Sequence, residues 1–371
     1  MTQSFDLPYF PRGPLVEEVL QILTSGLKQG VTLFAPRRQG KTSFVRHELI
    51  PAANDRGWQT LYIDLWRRRG EPELALVEAL EGFLESRQSG WRRKLRFKEF
   101  KAKASAGAAT IESTLEPVGF AADPVLENRL DVALTALADK GVTLLILDEV
   151  QALAGAKRED FVAALRTVIQ KLQGKLLVFY TGSSRDGLNS MFRQQKAPLF
   201  ASAMAVQLPD LGDAFIEDRL SFLRLRTQAV VSKQALDAAF ETLGRTPEFL
   251  NEVILHLLIA GNGDIDAAMG RWVHAQNDTG LGSVLDELKP LELGVMNLLA
   301  QPAHPSVYSS EALEWLSARI NTSEKLTPAR VQAALKKLMR MELVGPTGRH
   351  GEYEIEDRAT LLQLRAIDAN Q

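Results

Sequence analysis

The feature that most restricts the fold is an alternation. Short, largely apolar runs are separated by segments with helical spacing: Val31–Phe34, Leu61–Leu65, "VTLLILDEV" ending at Val150, "KLLVFYTGSS" and Ala203–Pro209. Helices are expected over Leu15–Leu27 (with Gly30 as a stop signal), from Lys41 to near Pro51, from about Glu71 to Ser86, from about Pro124 to Asp139 and over Arg158–Leu172. A strand that is apolar on both faces needs cover on both, and helices between successive strands supply it. The pattern predicts a parallel sheet with helices on both faces. From about residue 213 to 275 the pattern turns purely helical. After Pro290 come helices near 290–300, 309–319 and 327–342, then two short strands around the Gly-rich turn of "LVGPTGRHGEYEIED". The expected division is an α/β core over 1–212, a helical region over 213–285 and a third domain over 286–371.

The first strand runs into "APRRQGKTSFV", and the helix follows at once. A strand, a tight loop and a helix N-terminus surround phosphate oxygens with backbone N–H groups, so Ala35, Pro36, Arg37, Arg38, Gln39, Gly40, Lys41, Thr42 and Ser43 are expected to form a phosphate-binding loop. Gly40 lets the backbone approach closely. Lys41 reaches the β- and γ-phosphates, and the Thr42 hydroxyl binds Mg²⁺. Ala35 stands where such loops usually start with glycine, which costs little as long as its φ is negative.

"LLILDEV" places Asp148 and Glu149 at the C-terminal edge of a buried strand, where open α/β sheets bind ligands. Asp148 there can hold Mg²⁺ through water, and Glu149 can polarise a water for in-line attack on the γ-phosphate. The two motifs occur in the right order, about a hundred residues apart. The fourth strand ends in Thr181-Gly182-Ser183-Ser184; Ser183 and Thr181 are expected near the γ-phosphate or the attacking water, with an ordinary turn as the other reading.

Put in order, "APRRQGKTSFV", "LLILDEVQAL", "VFYTGSS", "KAPLFASAMAVQLPDL" and "LGRTPEFLNEVI" resemble the archaeal-type ATPase group, within the AAA+-like and STAND P-loop ATPases. The order extends over about residues 10–360, and the specific motifs lie between about 31 and 250. The resemblance implies a P-loop NTPase core with the loop strand central, an α-helical lid and a C-terminal winged-helix domain. It implies that the corner from Gly244 to Pro247 packs on the nucleotide base and that "FPRGPLVEEVL" lies near the adenine. ATP and Mg²⁺ are the implied ligands. The chain departs from the family pattern at Ala35 and at Ala201-Ser202, where the family often has a glycine-arginine pair. An arginine acting on the γ-phosphate would then be another one, and Arg185 and Arg193 are nearest.

Charge separates the remaining options. Over Arg87–Lys103 eight basic residues face one acid, although the whole chain carries only −2. Trp91, Phe97 and Phe100 interleave with these charges, which fits nucleic-acid contact, a solvated amphipathic helix or an acidic protein partner. In the third domain "TPARVQAALKKLMRM" starts at Thr327 as N-cap with Pro328 at the first position. Val331, Leu335, Leu338 and Met339 form its apolar face and leave Arg330, Lys336, Lys337 and Arg340 available, with Arg349 and His350 on the wing. Such a helix fits a major groove, whereas Glu342, Glu352, Glu354, Glu356 and Asp357 oppose phosphate binding there. The chain has no cysteine, which excludes disulfides, zinc-thiolate sites and a thiol nucleophile. No signal peptide or membrane span is read, so a soluble cytoplasmic protein is expected.

The expected activity is ATP hydrolysis by a switch or motor whose winged helix targets DNA or a protein. A nucleotide-gated DNA-binding regulator with little turnover is the alternative. A small-molecule kinase is a third class, but no acceptor motif points to it. Expected partners are ATP, duplex DNA or a protein, and a second copy of the chain in a homo-oligomer, with no membrane.

Overall fold

Five parallel strands form one sheet in the order β2-β3-β4-β1-β5. They are β1 (Gly30–Phe34), β2 (Gln59–Asp64), β3 (Thr143–Asp148), β4 (Leu176–Gly182) and β5 (Ala203–Gln207), each within a few residues of its expected run. In this computed structural model residues 7–68, 70–87, 124–183, 191–192, 197, 199–227, 230–276, 284–285, 287–320, 326–341, 343–347 and 351–369 are described. The basic insertion beyond Arg87, and Arg185, Arg193, Glu342, Arg349 and His350, lie outside them.

Period-two alternation splits each inner strand between two apolar layers. Leu144, Ile146, Leu177 and Phe179 pack with Val31 and Leu33 against the helix Leu15–Thr24 and the segment after the loop. Leu145, Leu147, Val178 and Tyr180 face the helices Pro72–Arg87, Pro124–Ala138 and Glu159–Lys171. Each large aliphatic side chain buried in this way contributes about 1.5–3 kcal/mol, which makes these two layers the main support of the strand ends. The loop strand β1 is interior, paired with β4 on one side and β5 on the other.

One helix runs past its expected end. After Lys41–Phe44 the chain makes a π turn over Val45–Leu49 and continues as Ile50–Asp55, through Pro51. Proline lacks an N–H, and its ring would strike the carbonyl four residues back. A widened turn relieves that clash and lets the helix continue.

Two units partition the chain: Pro11–Pro36 with Gly40–Pro209, and Met1–Phe10 with Arg37–Gln39 and Asp210–Gln371. The second contains helices Asp213–Arg226, Lys233–Thr242, Pro247–Ala260 and Ile265–Gln276 around Phe215, Phe240, Phe249 and Trp272. It also contains helices Pro290–Ala300, Ser310–Arg319 and Pro328–Arg340, followed by the antiparallel pair β6 (Val344–Pro346) and β7 (Tyr353–Ile355). This is the helix and hairpin order read from the sequence. A further helix, Arg358–Ala369, was not foreseen. Asp357 starts it by accepting bonds from the backbone N–H and the hydroxyl of Thr360, both at 3.0 Å.

Candidate functional site

The first unit holds most of the expected site. Gly40 has φ +89, a left-handed conformation that side chains rarely adopt, and a Cβ there would lie 2.9 Å from Arg12 Nη2. Ala35, by contrast, is not among the residues with positive φ, so alanine serves there without backbone strain. Lys41 is 6% exposed, and its ammonium donates to the carbonyls of Ala35 (2.7 Å) and Pro36 (2.8 Å). A buried ammonium needs such acceptors, and they fold the side chain back over the loop. Ser43 is half-buried in the following turn. Arg12, which the sequence did not single out, is buried beside the loop. Its guanidinium donates to the Pro209 carbonyl at 2.8 Å, and its backbone N–H donates to Glu48 at 2.8 Å.

Asp148 is 4% exposed and accepts four bonds. Thr42 Oγ1 donates to Oδ2 at 3.0 Å, as does Tyr62 at 2.5 Å, while Thr181 and the Glu149 N–H donate to Oδ1. Register explains the tyrosine: Tyr62 pairs with Ile146, so its side chain lies on the Asp148 face and reaches diagonally along the strand. Burial, and then the bond to Asp148, push the Tyr62 phenol well above its ordinary range, so it remains a donor.

Glu149 has φ 55 and ψ 46, left-handed for a non-glycine residue. Such conformations persist where the surroundings enforce them and cluster at functional sites. Here Ser183 Oγ donates to Glu149 Oε2 at 2.9 Å and Gln151 Nε2 donates to the same oxygen. Lys41, Thr42, Asp148, Glu149, Thr181 and Ser183 thus meet at one sheet edge, together with Tyr62 and Gln151.

No family model and no curated protein sequence matches the chain. Solved structures do. The Walker-type ATPase PABY2304 of Pyrococcus abyssi superposes with a TM-score of 0.63 at 20% identity, over 97% of this chain and 99% of that one. The Aeropyrum pernix ORC2 protein (ADPNP-ADP complexes) gives 0.53 at 15% identity, over 98% of each chain. The Aeropyrum pernix ORC1 protein in complex with DNA gives 0.51 at 13% identity, over 100% of this chain and 95% of that one. The chain has an α/β P-loop fold. At these identities the likeness is one of fold.

The P-loop tip residues Arg37, Arg38 and Gln39 belong to the second unit. Arg37 is exposed, and Arg38, at φ 65, lies 4.9 Å from the Phe249 ring centre and 3.8 Å from Glu248. Gln39 lies 3.5 Å from the Thr246 hydroxyl. Pro247 is buried at the first position of its helix, and the corner before it turns through Gly244 and Arg245, both left-handed. Ala201, where the resembling family often carries glycine, also has a left-handed φ of 56.

The donor set suits Mg²⁺ and a phosphate chain. Mg²⁺ is commonly held by one or two carboxylates with phosphate and water oxygens completing the shell, and Thr42 with Asp148 offers a hydroxyl and a carboxylate already 3.0 Å apart. A buried lysine and a glycine held in a left-handed conformation suit a phosphate.

One expectation at the C-terminal helix is corrected. Lys337 is not available: it binds Glu292 at 2.6 Å. Glu292 is 6% exposed and also accepts from the Lys289 N–H at 2.9 Å. Burial alone would raise its pKa, but the Lys337 ammonium and that N–H hold it below the ordinary range. A buried carboxylate requires a counter-charge, and Lys337 supplies it. Lys336, Arg330 and Arg340 are exposed.

Proposed function

We propose that the protein binds ATP with Mg²⁺ and hydrolyses it as a nucleotide-driven switch or motor. One observation carries the reading: Thr42 and Asp148, 106 positions apart in sequence, share a hydrogen bond at the sheet edge beside a buried Lys41. In that role Lys41 neutralises the β/γ-phosphates, Thr42 and Asp148 hold Mg²⁺, and Mg²⁺ supplies charge stabilisation to the phosphates. Glu149 accepts the proton of the attacking water, and Ser183 and Thr181 fix the two carboxylates. Two of the similar structures support nucleotide binding, one by its name as a Walker-type ATPase and one by its ADPNP and ADP complexes.

The targeting element in this proposal is a winged helix built from 286–371, with duplex DNA as its partner. Arg330, Lys336 and Arg340 are exposed on Pro328–Arg340, and one similar structure is a complex with DNA. Steady-state phosphate release from ATP, with and without Mg²⁺, tests the hydrolase reading. Release that requires Mg²⁺ is expected. Tight ATP binding without release would leave the nucleotide-gated regulator as the better description.

A further inference from the structure

Gln151 lies two residues past Glu149, in a single 3₁₀ turn over Val150–Leu153. That turn points its amide back at the strand end. Nε2 donates to Glu149 Oε2 and lies 3.3 Å from Ser183 Oγ, so two donors grip the same carboxylate oxygen. Among the described residues no bond reaches Glu149 Oε1. The amide orientation is dictated by chemistry: a carboxylate only accepts, so the NH₂ end must face it. The other end is left badly placed. Gln151 Oε1 is buried with no hydrogen-bond partner among the described residues, against Gly182, where any Cβ would collide with it. An unsatisfied buried oxygen works against stability. The surroundings therefore keep this glutamine in a place where its other end is a liability, and among the described residues the groups that gain are Glu149 and Ser183.

We infer that Gln151 is a positioning residue: by clamping Oε2 of Glu149 it turns Oε1 toward the water that this carboxylate deprotonates. The inference rests on the hydrolase reading above. No bond is made or broken by Gln151. The proton passes from water to Glu149, and the amide only restricts which oxygen receives it. General bases must sit within hydrogen-bond reach of the proton they take, and small misplacements lower the rate of the chemical step more than binding.

The test is Gln151→Met, which keeps length and volume, removes the donor and replaces the unsatisfied oxygen by an apolar group. Expected are a fall in kcat of about tenfold or more, with KM for ATP and calorimetric ATP affinity within about twofold of wild type. The melting temperature should be unchanged or higher, because the orphaned oxygen is gone. In a Glu149→Gln background the same change should cause no further loss, since it acts through Glu149. Wild-type kcat in Gln151→Met, a loss that appears in KM or melting temperature instead, or an additive loss in the double variant would overturn the inference. If wild-type protein binds ATP but releases no phosphate, the hydrolase reading fails and this inference with it. Wild-type turnover with an unaffected Gln151→Met overturns this inference alone.

Discussion

The sheet edge and the C-terminal basic helix handle polar side chains in opposite ways. At the sheet edge Asp148, Thr181 and Lys41 are buried and bonded to partners distant in sequence or folded onto the loop itself. On Pro328–Arg340, Lys336 and Arg340 are exposed, and Arg340 donates to the backbone carbonyl of Lys336 in its own helix at 3.3 Å. A site that performs chemistry needs charges fixed before the substrate arrives. A surface that meets a polyanion needs charges that can still move to it. Lys337 crosses the divide: it sits on the basic helix but is fixed like a site residue, because Glu292 is buried beneath it.

The comparison breaks most visibly at Lys41. Lys41→Ala should lower ATP affinity by about a hundredfold or more, measured by calorimetric titration, because the loop loses its cation to the β/γ-phosphates. Unchanged affinity would remove the site from the buried, pre-organised class. Tyr62→Phe should be milder. Asp148 keeps Thr42 and Thr181, so the Mg²⁺ concentration for half-maximal turnover should rise about tenfold, as for other residues that orient a metal ligand.

Lys337→Ala tests the boundary case by stability rather than binding. Removing one partner of a fully buried pair costs about 3–5 kcal/mol, but the Lys337 side chain is 37% exposed, so about 1–2 kcal/mol in denaturant unfolding is expected after screening. Glu292 adds a pH signature. Its folded pKa lies below the ordinary 4.5, so its contribution is complete above that value and is lost as pH falls through the folded value. Lys337→Ala should flatten that acid loss. The smallest expected effect on the fold is at Lys336 and Arg340. Replacing both by alanine should change stability by less than about 0.5 kcal/mol. In duplex-DNA binding it should reduce the slope of log affinity against log salt by about one per residue. A salt-independent interaction would assign those charges to a protein partner.

How much of this was legible in the sequence depends on range. The strands were legible because both faces of each inner strand are apolar, as at Leu144–Leu147. That Lys41, Thr42, Asp148 and Glu149 would come together at the strand ends was legible, because the spacing of such loops and strand ends is local. Tyr62 was not, since its link to Asp148 depends on the register between β2 and β3. Nor was Arg12, which reaches Gly40 and Pro209 from the chain's start. Gln151 carried a signal that was available: a polar side chain two residues after Glu149, in a segment otherwise apolar. The helix through Pro51 defeated a sound local rule, because the π turn over Val45–Leu49 absorbs the clash on which the rule depends.

The central claim is that Glu149 is the group that activates water while Lys41, Thr42 and Asp148 bind. Glu149→Gln tests it most directly, with ATP affinity and phosphate release measured on the same preparation. The account predicts affinity within about twofold of wild type and turnover lower by about 10²–10⁴-fold, the range for loss of a general base. Wild-type turnover in that variant, or loss of ATP binding in place of turnover, would contradict it.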